Sequence, residues 1–149
     1  MIKKVLLAIG LAVVVLVVVF FGYRAYMRDD MNARVAADIR ANPDGPRAQR
    51  AMLVWLEDGR MYPVNYLREG NLVFMGIDGR WWREFLDEGA PVEMLIRGER
   101  LAGHARTILD DPGYKADVFG RLRPTVPEWL PDWLNGKLVV ISLSRRTPP

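Results

Sequence analysis

DGRMYPVNYLREGNLVFMGIDGRWW, residues 58–82, is the stretch whose reading decides the fold. Two runs rich in β-branched and aromatic residues, RMYPVNYL and LVFMGI, are separated by Glu69-Gly70-Asn71 and preceded by Asp58-Gly59. That pattern predicts antiparallel strands joined by a tight turn, with a two-residue hairpin at Asp58-Gly59 on the upstream side. The first strand nevertheless carries Pro63 and Asn65 in its middle. Proline cannot donate to a sheet ladder and asparagine is a poor strand former, so strand stability alone accounts for neither.

Working outward, AMLVWLE before the stretch is a further strand, and VEMLIR, a turn at Gly98-Glu99 and RLAGHARTI form another hairpin. LVVISLS, from Leu138, closes the set. Six strands with tight antiparallel connections predict a small barrel. Two helices interrupt them. GRWWREFLDEG ends at Gly89 before Pro91, and DDPGYKADVFGRL starts near Asp111-Pro112 and ends before Pro124. Trp81 and Trp82 diverge by about 100° on a helix, so one can pack inward while the other covers a cleft or the bilayer surface.

MIKKVLLAIGLAVVVLVVVFFGYR opens the chain, and its residues 5–21 are apolar and uncharged. With Gly22 and Tyr23 they make a helix of about 28 Å at 1.5 Å per residue, matching a bilayer core. The run exceeds the apolar region of a cleaved secretory signal and no small-x-small cleavage site follows, so a retained single-pass membrane anchor is expected. Tyr23, Tyr26, Arg24 and Arg28 then fall at the interface; the bias of Arg24, Arg28, Arg34 and Arg40 over Lys3 and Lys4 weakly favours the cytoplasmic side for the following domain, while the short lysine-bearing N-terminus also fits a signal anchor of the opposite sense. Val35, Ala36 and Ile39 recur at helical spacing, with Asp29 or Asp30 as cap and Asn42-Pro43 and Gly45-Pro46 as breakers. A short juxtamembrane helix is expected there. The organisation is thus an anchor over residues 1–26, a helix and linker over 27–50, and a barrel over 51–146.

Composition excludes several kinds of chemistry. Zero cysteines remove disulfides, thiolate metal sites and a cysteine nucleophile, and one histidine, His104, removes a multi-histidine metal centre. The net charge of +3 comes from arginines scattered through turns and both ends. A nucleic-acid footprint needs a basic stripe interleaved with stacking aromatics, so no nucleic-acid partner is expected. Glu57, Asp58, Asp110 and Asp111 sit beside Gly59 and Pro112 and read as turn and helix-start carboxylates.

The order strand, R..P.NYLREGNLVF, Gly-containing loop, Trp-bearing helix, V...I+G, a strand with Gly103 and Ala105, DDP, helix and closing strand resembles the deazaflavin-dependent nitroreductase and quinone reductase family. The resemblance covers residues 53–143. Those proteins are split β-barrels related to flavin-mononucleotide-binding oxidases. The expected fold class is therefore mainly β: a small antiparallel split β-barrel with two short helices, preceded by a single N-terminal transmembrane helix. By resemblance, Arg60, Pro63, Asn65, Gly76, Asp78, Gly79 and Trp82 line a cleft for deazaflavin or FMN. Trp129 and Trp133 lie near the substrate-side aromatics.

The resemblance implies hydride transfer to a quinone or nitro-type acceptor, with a homodimer as an open expectation. A flat tricyclic ring needs a rigid apolar wall with an amide near its pyrimidine edge, and Pro63 with Asn65 supplies both on one side by the period of two. The other reading is that Pro63 belongs to an edge strand and Asn65 faces water. The glycine-, serine- and cation-bearing loop that precedes this strand in family members is cut here to Glu57-Asp58-Gly59. Arg60 is then left with Arg80 and Arg83 for the anionic part of a cofactor. The competing class is a membrane-tethered binding or interaction module without chemistry, its cofactor lost.

Overall fold

The computed structural model describes residues 2–127 and 136–144. By contacts the chain divides into two units, Met1–Val35 and Ala36–Pro149.

Helix α1 (Ile2–Ala41) runs without interruption through the apolar segment. Its stretch Ile9–Ala41 is long and apolar enough to cross a membrane, and the apolar side chains from Leu11 to Phe21 are exposed. Asp29 and Asp30 lie inside this helix and start no second one; Asp30 pairs with Arg34 one turn on, at 2.9 Å. Nothing in the residues around them breaks helical geometry, which is why the apolar and juxtamembrane patterns merge. The helix stops where the breakers begin. Asp38 accepts from the Asn42 side-chain amide at 2.8 Å and from Arg47 Nε at 2.7 Å, tying the linker back onto the last turn.

In the second unit six strands close a barrel in the order β1-β2-β3-β6-β5-β4, every neighbour antiparallel. They are β1 (Ala51–Trp55), β2 (Met61–Glu69), β3 (Leu72–Ile77), β4 (Ala90–Ile96), β5 (Glu99–Ile108) and β6 (Lys137–Leu143). Alternation sorts their side chains. Met52, Val54, Val73, Met75, Val92, Met94, Ala105, Val139 and Ile141 fill the interior, with Tyr62, Val64 and Tyr66 packed against them. The opposite parity of β3 and β6, Phe74 and Leu138, forms a second cluster with Val118 and Phe119 of helix α2 (Pro112–Leu122). Asp111 caps α2 by accepting from the Tyr114 amide at 2.9 Å, and Pro112 opens it.

Two turns differ from the expected ones by a residue. The β1–β2 connection is a three-residue loop closed by the Leu56 amide on the Arg60 carbonyl at 2.9 Å, with Gly59 at φ 84°. The β4–β5 turn is Arg97-Gly98 at φ 47° and 79°, since consecutive positive φ angles are what a two-residue primed turn requires. Glu99 already pairs with Ile96.

The Trp-bearing segment is a 3-10 helix, η1 (Arg80–Phe85), rather than a longer α-helix ending at Gly89. Asp87 at φ 53° and Gly89 at φ 81° turn the chain into β4 before a second turn can form. Fully buried Phe85 and half-buried Trp81 and Trp82 set η1 against one mouth of the barrel. That mouth is the end at which β3 and β5 finish and β6 begins.

Candidate functional site

The Pro63 anomaly resolves in the register. Residues 61–65 of β2 pair with β1 through residues 51–55, but the β2–β3 ladder spans only residues 66–69 against 72–75. The Leu56 and Tyr66 amides donate to the Arg60 and Arg50 carbonyls, so the even positions of β2 point their backbone groups at β1. The odd positions therefore point at β3. Pro63 and Asn65 fall where β3 has left the ladder. The barrel is closed, so β2 is no free edge over its length, yet its first half is open on one side. Proline's missing donor is tolerated there because no strand asks for it.

Arg123, the C-cap of α2, occupies the β3 side of this seam. Its guanidinium donates to the Gly76 carbonyl at 3.3 Å, a group that alternation aims at β2, and pairs with Asp78 at 3.3 Å. It also lies 5.5 Å from the centre of the Phe119 ring. Gly76 is obligatory for this arrangement: a Cβ would sit 2.8 Å from Phe119 and 2.9 Å from the Arg123 guanidinium. The seam is thus a notch with Pro63 and exposed Asn65 on one bank and Gly76 and exposed Asp78 on the other.

The remaining expected residues gather around η1. Gly79 precedes the helix in extended conformation, and exposed Arg80 opens it. Trp82 is held by its carbonyl, which accepts from Thr107 Oγ1 at 2.7 Å. Arg83 and Lys137 lie 5.5 and 5.9 Å from its ring centre. Trp81 takes the inward role, stacked on Tyr62 at 4.5 Å and 9° and edge-on to Phe85 at 5.9 Å.

Arg60 is committed within the protein. It pairs with Glu84 of η1 at 2.9 Å and Asp58 at 2.5 Å, and these hydrogen bonds raise its already high pKa. The Arg60 backbone amide, and then its guanidinium, hold the Asp58 carboxyl below the ordinary carboxylate value. Arg60 therefore clamps η1 to the β1–β2 loop.

Trp129 and Trp133 lie outside the described residues. Among the described residues no buried side-chain polar atom lacks a partner and no acidic or histidine cluster could hold a metal. A depression of about 410 Å³ lies away from the seam, against the end of α1, lined by Asp38, Asn42, Pro43, Asp44 and Arg47 among others. Its walls are the ion-paired linker, and none of the expected site residues reaches it.

Sequence reasoning missed Arg123, Lys137 and Tyr62; one tryptophan of the pair was expected to pack inward, and Trp81 is the one that does. The signal that could have found Arg123 is the glycine in LVFMGI, a strand position left without a side chain so that something else can approach.

No family model matches the chain, and no curated protein matches it. Solved structures do. A candidate pyridoxamine 5′-phosphate oxidase from Listeria innocua is 12% identical, covers 79% of this chain and 95% of its own, and gives a TM-score of 0.43. The FAD and heme binding protein from Mycobacterium smegmatis is 19% identical over 68% of this chain and 69% of its own, at 0.41. An FMN-binding protein from Syntrophomonas wolfei subsp. wolfei is 6% identical over 84% and 92%, at 0.39. So distant a likeness assigns no activity to this chain.

Proposed function

We propose that this chain is a membrane-anchored oxidoreductase whose barrel holds a flavin or deazaflavin and reduces a quinone or nitro-type acceptor by hydride transfer. The observation that carries the reading is the half-open β2, where Pro63 presents a rigid apolar surface next to the exposed Asn65 side-chain amide, beyond the last β2–β3 pair, Tyr66 with Met75. The motif resemblance over residues 53–143 supports it.

The residues present fit the ring of such a group better than a phosphate at Arg60. Pro63 offers a fixed wall, and Asn65 offers donor and acceptor atoms to a heterocycle edge. Arg60 is neutralised by Asp58 and Glu84, which leaves Arg80 for the anionic part. When bound in its reduced form, the group supplies a hydride to the acceptor. The chain's own residues orient and shelter. Trp82, fixed through Thr107, covers the η1 side, and Asp78 is kept from repelling an anion by its pairing with Arg123.

The apolar helix α1 gives the reading its setting: tethered to a bilayer by it, the barrel meets lipid-soluble quinones at raised effective concentration. The arginines after the apolar run favour the cytoplasmic side.

A second reading, a tethered binding module without cofactor, is favoured by one observation: both arginines nearest the seam, Arg60 and Arg123, are already paired with carboxylates. Absorbance of the detergent-purified full chain, with mass spectrometry of released small molecules, separates the two. A flavin-like spectrum is expected. A colourless protein that quenches neither FMN nor deazaflavin fluorescence would replace the enzyme reading by the tethered module.

A further inference from the structure

Where its apolar run ends, helix α1 carries charge unevenly around its circumference. Arg24 and Arg28 are exposed and stand one turn apart on one face, and among the described residues neither pairs with a carboxylate. The next arginine, Arg34, is neutralised by Asp30 at 2.9 Å. At 100° per residue, Asp29 projects about 100° away from Arg28 and about 140° away from Arg24. The Arg24 guanidinium lies 6.0 Å from the centre of the Phe20 ring, so it folds back over the last apolar turn. Tyr23 and Tyr26 add two phenols beside it, 62% and 69% exposed.

Height along the axis separates these arginines further. With residues 5–23 in the hydrocarbon, Arg28 stands about 8 Å beyond Tyr23 and Arg34 about 17 Å beyond it, at 1.5 Å per residue. The headgroup layer is roughly 5–8 Å deep on each side of the core. Long side chains on a helix lean toward its N-terminus, so the Arg24 and Arg28 guanidiniums both return into that layer, while Arg34 stays outside it. Two cations one turn apart, unmatched by their own chain, repel each other unless an anion joins them. The planar guanidinium fork suits the paired oxygens of a phosphodiester.

We propose that Arg24 and Arg28, flanked by Tyr23 and Tyr26, form a headgroup site on α1 that selects phospholipids of net negative charge over zwitterionic ones. The inference rests on α1 being the membrane span and adds which lipid it holds beside it. A zwitterionic headgroup balances its phosphate with its own ammonium, so the two arginines gain less from it than from a headgroup whose charge is unmet.

The test reconstitutes the full chain into vesicles of equal parts phosphatidylglycerol and phosphatidylcholine, extracts it again in mild detergent and counts the retained lipids by native mass spectrometry. Wild type is expected to retain phosphatidylglycerol over phosphatidylcholine by at least about fivefold, the factor that one basic residue at an anionic surface supplies. Arg24→Gln and Arg28→Gln should each lower that preference, and the double variant should bring it close to unity. Arg34→Gln is the control: it removes the same formal charge from the same helix, but that charge is already met by Asp30, so the preference should not change. Equal retention of both lipids by wild type overturns the site and leaves the anchor standing. So does an equal fall in Arg34→Gln, which would assign the preference to summed charge rather than to these two residues. A full chain that does not float with the vesicles overturns the anchor, and this inference with it.

Discussion

Arg123 does at the β2–β3 seam what a strand partner does elsewhere in the barrel, donating to the Gly76 carbonyl while its charge is met by Asp78. Arg123→Met keeps a stem over Phe119 and removes both interactions. A loss of about 1–3 kcal/mol is expected, the range for an orphaned buried acceptor, read as a lower urea midpoint. An unchanged midpoint would deny Arg123 that role. Gly76→Ala should act on the same point from the other side, pushing Phe119 and Arg123 away from β3. At this scale the sequence was half legible. Pro63 and Asn65 announced themselves as misfits in a strand, but the residue that exploits the opening comes 45 positions after Asp78 and follows no local pattern. Arg60 looked like a ligand because it stands alone after a short loop. Its partner Glu84 is 24 residues away, and that pairing exists only once η1 has folded over the loop.

Strand positions were the most readable feature because each is bounded by turn residues and one face of each is buried. All six strands lie where alternation and turn chemistry put them. The turns slipped by a residue where backbone handedness decided, as at Arg97-Gly98, and the tryptophan helix came out shorter and tighter because packing governs it. Phe85 is the reason that helix sits where it does: it is fully buried against the interior cluster with Trp81 edge-on. Phe85→Ala should destabilise the barrel by about 3–5 kcal/mol, the usual cost of emptying a buried aromatic site. Thermal denaturation followed by near-ultraviolet circular dichroism checks this, since Trp81 and Tyr62 would lose their fixed stacking. A shift of less than about 1 kcal/mol would mean that η1 is an ornament on the mouth rather than its plug.

For the whole molecule the N-terminal pattern was legible without any tertiary information, because a bilayer-length apolar run needs no partner to be recognised. Full-length protein should remain with membranes through an alkaline carbonate wash, and a chain truncated to begin at Met31 should not; recovery of a mature N-terminus downstream of Gly22 would convert the anchor into a signal. The barrel's ladders hold a different consequence. The β1–β2 hairpin joins the other four strands through short seams only, residues 53–55 against 93–95 on one side and 66–69 against 72–75 on the other. β3–β6, β4–β5 and β5–β6 are zipped along nearly their full lengths. Opening of this hairpin as a unit, hinged on two brief runs of hydrogen bonds, should require less free energy than global unfolding. Amide exchange should then find β1 and the first half of β2 trading their protons together, well before Ala105, Val139 and Ile141 do, so that the slowest-exchanging core of this protein is four strands wide rather than six.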